Sequence, residues 1–333
     1  MTSLITLIPA YKADYLAELF LGLRSQNFKD FRVVLSDDSP GASITELIRS
    51  GAFDNLIAPL DLLVLQGPRQ GSLKNIHHLI DGWAAQAPLV HVMMDDDIVY
   101  PDYYRSHALA HSRGTPGASV SQRWLTASDG RPGAMLPLPA FFDDVPERLV
   151  YLDAAALFAT TAAHCQNWLG EFSNMVLSQE AVRRLRGSSM NGLSYYGLAD
   201  IGVLLDVSTH SPVVFIRDHL GGFRSHPQQN THKRQSFAIK CGYLAWVALA
   251  LAGWRSGHLS AAQTQASLAI SVGQCMNQFA SEPALSEFFG IAIDNARNLA
   301  SFDEHFGDWW ARTLSTDSDS RVELLRAGDL QAA

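Results

Sequence analysis

The sequence predicts an α/β fold, a mostly parallel sheet flanked by helices and followed by an all-helical C-terminal region. Two observations predict it. Four short apolar runs in the first hundred residues, LITLI (4–8), FRVVL (31–35), LDLLVL (60–65) and LVHVMM (89–94), have the length and aliphatic content of buried strands, with helical spacing between them. After His232 the strand pattern ends and long helical stretches take over. Strand and helix alternating through short loops is the pattern of βαβ units.

The elements follow in order. Tyr15, Leu16, Leu19, Phe20 and Leu23 share one face of a first helix, Ile44, Leu47 and Ile48 suggest a second, and Leu73, Ile76, Leu79, Ile80 and Trp83 a third. From about 115 to 225 the pattern is less regular. Strands are expected at ASVSQRWL, LVYLD, FSNMVL and PVVFIRD, interrupted by helical pieces at QEAVRRL and LADIGVLLDV. Beyond it come RQSFAIKCGYLAWVALALAGW, SAAQTQASLAISVGQCMNQFA, ALSEFFGIAIDNARNLASF and a shorter helix around Trp309 and Trp310, then a frayed tail, STDSDSRVELLRAGDLQAA.

The 333 residues are 47% hydrophobic and 17% charged, an ordinary globular composition. A net charge of -8 argues against sequence-independent nucleic-acid binding, which needs a basic surface. Cys165, Cys241 and Cys275 support neither a disulfide framework nor a thiolate zinc site, so a reducing compartment is expected. MTSLITLIPAYKADY has no basic leader, and the expected location is cytoplasmic, with attachment to the inner face of the membrane left open. The longest apolar stretch, CGYLAWVALALAGW (241–254), is short of the roughly 20 residues that span a bilayer and reads as a core helix. A peripheral membrane or homo-oligomer contact through the C-terminal helices is the alternative.

In parallel sheets ligands sit at the carboxyl ends of the strands. The residues there are Pro9, Ala10, Tyr11 and Lys12; Ser36, Asp37 and Asp38; Gln66, Gly67 and Arg69; and Asp95, Asp96 and Asp97. Three adjacent carboxylates repel one another and must face water or a cation. Mg²⁺ or Mn²⁺, sharing its shell with phosphate oxygens, is the expected partner. A solvated acidic turn is the bland alternative.

IPAYKADYLAELFLGLRSQNFKDFRVVLSDDSP and MMDDDIVYP make the first 105 residues resemble the nucleotide-binding half of a family 2 glycosyltransferase with the GT-A fold. The first stretch resembles that family's opening, with Pro-x-Tyr, Ser-x-Gln and paired aspartates. The second resembles its Asp-x-Asp metal motif followed by proline. The resemblance implies a mixed Rossmann-like sheet, a catalytic domain over 1–230 (nucleotide half 1–110, acceptor half 111–230) and a helical region over 231–333. It also implies an inverting, metal-dependent transfer from a nucleotide-diphosphate sugar, UDP-type favoured, to a hydroxyl on a glycan, lipid-linked or protein acceptor in bacterial surface glycan or glycoconjugate synthesis.

Residue by residue, the resemblance implies that Pro9, Ala10 and Tyr11 shape the base pocket, with Asp38 accepting from the base and Asp37 supporting the loop. A turn or helix cap is the other reading of the two aspartates. Lys12 departs from the family's usual Asn. Arg69 or Lys74, in QGPRQGSLKN, neutralises the diphosphate, helped by amides around Gly71 and Ser72. The metal ligands are ranked Asp96, Asp97, Asp95, because Asp96 has the family's spacing from Pro101 whereas Asp95 and Asp97 satisfy the literal Asp-x-Asp.

Asp200, opening a helix in SYYGLADIGVLLDV, takes the catalytic-base role, although the usual Glu-Asp pair is Ala199-Asp200 here; Asp206 is the weaker candidate. DHLGGFRSHPQQNTHK (218–233) resembles a mobile lid in which Gly221 and Gly222 allow movement, Arg224 meets phosphate and His226 meets phosphate or metal. Trp168, Glu171 and Asn174 are candidates for the acceptor or sugar pocket, with a core role for Trp168 equally open. Two rival readings remain: a nucleotide-sugar-binding relative that has lost turnover, and a nucleotidyltransferase, for which a Gly-rich basic phosphate loop is missing.

Overall fold

The structure, a computed structural model, describes residues 2–227, 229 and 236–315, divided into two compact units. The expected tail beyond Ser315 and positions 228 and 230–233 of the expected lid lie outside the described residues.

The first unit comprises residues 1–153, 168–186 and 207–226. Its strands are β1 (Leu4–Ala10), β2 (Phe31–Asp37), β3 (Leu62–Gln66), β4 (Leu89–Val92), β5 (Ile98–Val99), β6 (Ala118–Thr126), β7 (Pro132–Met135), β8 (Leu149–Leu152) and β9 (Met175–Ser178). A short hairpin of the second unit supplies β10 (Ser189–Met190) and β11 (Leu193–Ser194), and β12 (Val213–Arg224) returns to the first. The sheet runs β3-β2-β1-β4-β9-β6-β12-β5, with β7 on β6 and β8 on β12. Strands β1 to β4 pair in parallel, as do β6 and β12, whereas β9 is antiparallel to both β4 and β6.

Every residue of β1 is buried, as expected for a central parallel strand covered on both faces. On the first helix, Leu16–Arg24, Leu16, Leu19, Phe20 and Leu23 are at most 1% exposed, so the predicted apolar stripe is the buried one. In the helix Ser72–Trp83 the buried residues include Ile76, Leu79 and Ile80, which keeps its amino end at the carboxyl edge of β3. Because β9 pairs His91 with Val176, its start lies beside the end of β4, and the loop before β9 meets the same sheet edge as the loops after β1 and β2.

Some elements differ from expectation. Phe172–Asn174 is a 3₁₀ turn, so the strand expected from Phe172 begins at Met175. Gly221 and Gly222, expected in a lid, lie inside β12. They pair there with Val99 and Ile98 of β5, and a Cβ at Gly221 would sit 2.5 Å from the Ile98 carbonyl oxygen. These glycines serve close backbone approach.

The second unit comprises 154–167, 187–206 and 227–333. Its long helices are Phe237–Arg255, Ala261–Phe279, Ser286–Asp294 and Leu299–Leu314. The expected ALSEFFGIAIDNARNLASF helix breaks after Asp294 and restarts behind Asn298, whose side chain caps the amide of Ser301. Helix Phe237–Arg255 is long and apolar enough to cross a membrane by length and composition. Yet 72% of its most apolar window is buried, and its Lys240 is buried against Glu282 at 2.8 Å. A helix apolar on all sides belongs in a protein core when protein covers it.

Candidate functional site

The turn after β1 is built by a carboxylate from the loop after β4. Asp95 Oδ2 accepts the amides of Tyr11 (2.6 Å) and Lys12 (2.7 Å), leaving the Tyr11 ring 56% exposed at the sheet edge. Burial, and then the neighbouring Asp96 charge, push the Asp95 carboxyl up to about 6, against the opposing pull of the two amides and the Lys12 ammonium. Pro9 and Ala10 are buried, and the Ala10 carbonyl accepts the Asp38 amide at 2.8 Å. Together these bonds tie the ends of β1, β2 and β4 into one surface.

Asp37 is buried and accepts from the amides of Ser39 (2.9 Å) and Thr45 (2.8 Å) and from both hydroxyls. Burial pushes its carboxyl up, but these bonds outweigh burial and hold it below the ordinary carboxylate value. It orders its loop, as expected. Asp38, 7% exposed, accepts the amide of Arg69. Gly67 makes that approach feasible: a Cβ there would lie 2.5 Å from Asp38 Oδ1 and 3.0 Å from the Asp37 carbonyl oxygen. Arg69 adopts a left-handed φ of 57°, and its side chain and that of Lys74 are exposed. Gly71, at φ 89°, precedes the helix Ser72–Trp83, whose first turn has no side-chain cap.

The three aspartates have three different environments. Asp97, 2% exposed, accepts the Arg224 amide at 3.0 Å and a bond from Ser173, and burial followed by Asp96 repulsion raises its carboxyl well above the ordinary range. Asp96 lies between two cations or potential cations. Its Oδ2 is 2.9 Å from His226 Nε2 and 3.8 Å from Lys12 Nζ. The two carboxylates that satisfy Asp-x-Asp are therefore held by backbone amides, while the middle one meets an imidazole. Among the described residues no group of three or more His, Cys, Asp or Glu is gathered for a metal. The Asp96 carboxylate is an oxygen donor of the kind Mn²⁺ or Mg²⁺ takes together with phosphate oxygens and water, and the His226 imidazole beside it is a nitrogen donor.

Arg224 and the candidates of the second half take internal positions. The Arg224 guanidinium is fully buried, donating to the Asp96 carbonyl (2.7 Å), the Ser128 carbonyl (2.7 Å) and the Glu18 carboxylate, over the Tyr15 ring at 4.3 Å. Expected at the phosphates, it is fastened into the protein, because the end of β12 is enclosed by the turn 127–131 and the first helix. Trp168 is 6% exposed and packs edge-on against Phe142 (5.4 Å) and Phe215 (5.1 Å), the core role of its two readings. Asn174 is 2% exposed, donating to the carbonyls of Ser121 and Leu169 and accepting the Glu171 amide. Glu171 remains 25% exposed and pairs with Arg123, and the two join Asp97, Ser173 and Phe223 along a narrow crevice.

Sequence reasoning missed Tyr15, Glu18, Arg123 and Ser173. Arg123 carried a signal, a lone charge inside the buried run ASVSQRWL, which calls for a buried counter-charge. Glu18 carried none beyond its place on the first helix. In the second unit, Asp200 lies in the first turn of the helix Ala199–Ser208, where it accepts the Ile201 amide at 2.8 Å. Asp206, on the same helix, is buried. A cavity of about 580 Å³ lies at the opposite sheet edge, around Pro88, Gly117, Ser178 and Ser211, and holds none of the predicted residues.

No family model matches the chain, and no curated protein does. Solved structures do. TarS of S. aureus matches with a TM-score of 0.56 at 16% identity over 99% of this chain and 53% of that one, so the chain spans about half of it. TarS 1-349 in complex with UDP matches with a TM-score of 0.53 at 13% identity, over 93% of this chain and 89% of that one. The mannosyltransferase PcManGT of Pyrobaculum calidifontis, in complex with GDP-Man and Mn²⁺, matches with a TM-score of 0.53 at 12% identity, over 93% and 86%. At such identities the likeness is one of fold: the chain has the α/β fold of TarS and of this mannosyltransferase, a mixed sheet flanked by helices with a helical C-terminal region.

Proposed function

We propose that the chain is a family 2, inverting, metal-dependent glycosyltransferase that moves a sugar from a nucleotide-diphosphate donor, UDP-type favoured, to a hydroxyl acceptor in a bacterial surface glycan or glycoconjugate. Residues 1–230 form the catalytic domain in this reading, and 231–333 bear on acceptor choice, assembly or contact with the inner face of the membrane. The observation that carries it is the Asp96–His226 pair with Lys12 beside it, on the same sheet edge as Tyr11 and Asp38. The fold's occurrence in a protein crystallised with UDP and in another with GDP-Man and Mn²⁺ supports a nucleotide-sugar donor.

The exposed Tyr11 ring offers a face for a flat base, and Asp38 accepts its N–H groups, on a loop ordered by Asp37. Arg69, Lys74 and the uncapped amides after Gly71 lie ahead of the phosphates. Asp96 and His226 would hold Mn²⁺ or Mg²⁺, which when bound supplies positive charge to a diphosphate leaving group. Asp95 and Asp97 set the backbone around them. Arg224 acts from behind the pair and leaves the phosphates to Lys12, Arg69 and Lys74. Asp200 takes the proton of the attacking hydroxyl, and single displacement inverts the anomeric centre.

Thermal denaturation with UDP or GDP, with and without Mn²⁺, tests the donor site, since a ligand that binds only the folded state raises the midpoint. No rise with any nucleoside diphosphate would sink the proposal. Asp200→Asn should keep that rise and lose transfer; undiminished transfer would remove Asp200 from the base role. A binding protein without turnover is the second reading, favoured by Ala199 standing where the family has an acidic residue. Donor binding with neither hydrolysis nor transfer would select it.

A further inference from the structure

We propose that Glu18 and Arg224 are positioning residues that fix the Asp96–His226 pair, so that a half-exposed carboxylate on the first helix governs the cation-binding end of the site. This deepens the proposed function and rests on it for the metal arm of the test. Three segments distant in sequence converge on one guanidinium. Its Nε holds the Asp96 carbonyl at 2.7 Å, Nη1 holds the Ser128 carbonyl at 2.7 Å, and Nη2 meets Glu18. The Arg224 backbone amide holds Asp97 Oδ1 at 3.0 Å. Arg224 thus grips the backbone of Asp96 and the side chain of Asp97 together.

His226 follows Arg224 by two residues, and its ring lies 5.2 Å from that of Tyr15. Tyr15 also lies under the guanidinium, and Glu18, three residues on, is its neighbour along the helix. The first helix therefore presents one face to both parts of the device. Gly130, at φ 79°, covers it; a Cβ there would stand 3.4 Å from Arg224 Nη1 and 3.6 Å from Glu18 Oε2.

A buried guanidinium is costly unless a carboxylate faces it. Glu18, 50% exposed, is that carboxylate. Besides Glu18, the acidic residues that Arg224 bonds in these contacts are Asp96, through its carbonyl, and Asp97, through its carboxyl. Turning toward them would draw Asp96 from His226 and oppose a cation at the same carboxylates. Glu18 keeps the positive charge of Arg224 engaged behind the site, and Asp96 keeps its bond to the imidazole.

The test uses the full chain labelled with ¹⁵N-histidine, with His226 identified by the signal lost in His226→Gln. In the wild type, long-range ¹H–¹⁵N spectra should show His226 donating from Nε2. In Glu18→Gln, His226 should move toward a solvent-exchanging imidazole while His91, buried in the same unit, stays in place. Glu18→Asp should restore part of the wild-type signal. An unchanged His226 in Glu18→Gln overturns the proposal, and so does a shift of His91 as large as that of His226, because Glu18 would then determine the fold as a whole. Mn²⁺ alone, added next, should broaden His226 in the wild type at a concentration at least about tenfold lower than in Glu18→Gln; equal concentrations overturn the proposal. No broadening in the wild type sinks the metal reading, and the metal-free spectra still decide the positioning role.

Discussion

The loops after β1 to β3 and the loop before β9 meet the same sheet edge, yet their polar residues have opposite fates. In the first group Tyr11, Arg69 and Lys74 are exposed, while Asp95 holds the Tyr11 amide, Asp38 the Arg69 amide and Asp37 the amides of Ser39 and Thr45. In the second, Trp168 and Asn174 are buried, and Asn174 satisfies the carbonyls of Ser121 and Leu169. The difference follows from strand direction. A loop leaving a parallel strand runs out over the edge toward its helix. The loop entering β9 must insert an antiparallel strand between β4 and β6, so its backbone groups are enclosed and need partners from within. Asparagine and tryptophan there complete the packing, whereas tyrosine and lysine in the first group face outward.

The comparison breaks most visibly if Trp168 proves dispensable. Trp168→Ala should lower stability by about 3–5 kcal/mol, read by urea denaturation, because it empties an aromatic cluster with Phe142 and Phe215. A loss below 1 kcal/mol would return Trp168 to the surface. Gly67→Ala comes next, placing a Cβ against Asp38 Oδ1. A loss of about 1–3 kcal/mol is expected, together with weaker nucleoside-diphosphate binding in calorimetry. An unaffected variant would show that Asp38 does not depend on that approach.

Acid tests the enclosed side. His91 on β4 supports the loop before β9 through the Ser173 carbonyl at 3.1 Å, and burial, only partly offset by that bond, pushes its imidazole down to about 3. In the folded protein it stays neutral while the unfolded chain takes up a proton below about 6.5, so the unfolded state binds more protons and stability falls as the pH drops from there toward 3. The contribution is up to about 1.4 kcal/mol per pH unit. Denaturation at pH 7 and pH 5 should show a shallower loss in His91→Gln than in the wild type; equal losses would remove His91 as a cause. The smallest effect on stability belongs to Tyr11→Ala, expected within about 0.5 kcal/mol because the ring is exposed, while nucleotide affinity falls. A large stability loss would mean that Tyr11 packs like Trp168.

Much of the fold was legible. The buried run of β1 and the stripe Leu16, Leu19, Phe20, Leu23 were readable because each obeys its element's own period. β5 was not, since a pair of residues held by Gly221 and Gly222 has no period to read. The loop residues of the first half emerged where strand ends pointed, with Asp37 ordering its turn as expected. The burial of Arg224 was not legible, because the carboxylate that meets its guanidinium is Glu18, 206 positions away in sequence.

By itself the sequence determined that β1 to β4 belong to βαβ units of a mostly parallel sheet and that the loops after them share one edge, since hydrophobic period and turn residues act locally. The tertiary structure decided which of three adjacent aspartates would meet an imidazole. Backbone amides from the ends of β1 and β12 claim Asp95 and Asp97, and Asp96 is left to face His226. That choice depends on pairings between distant strands, whose geometry no local pattern encodes.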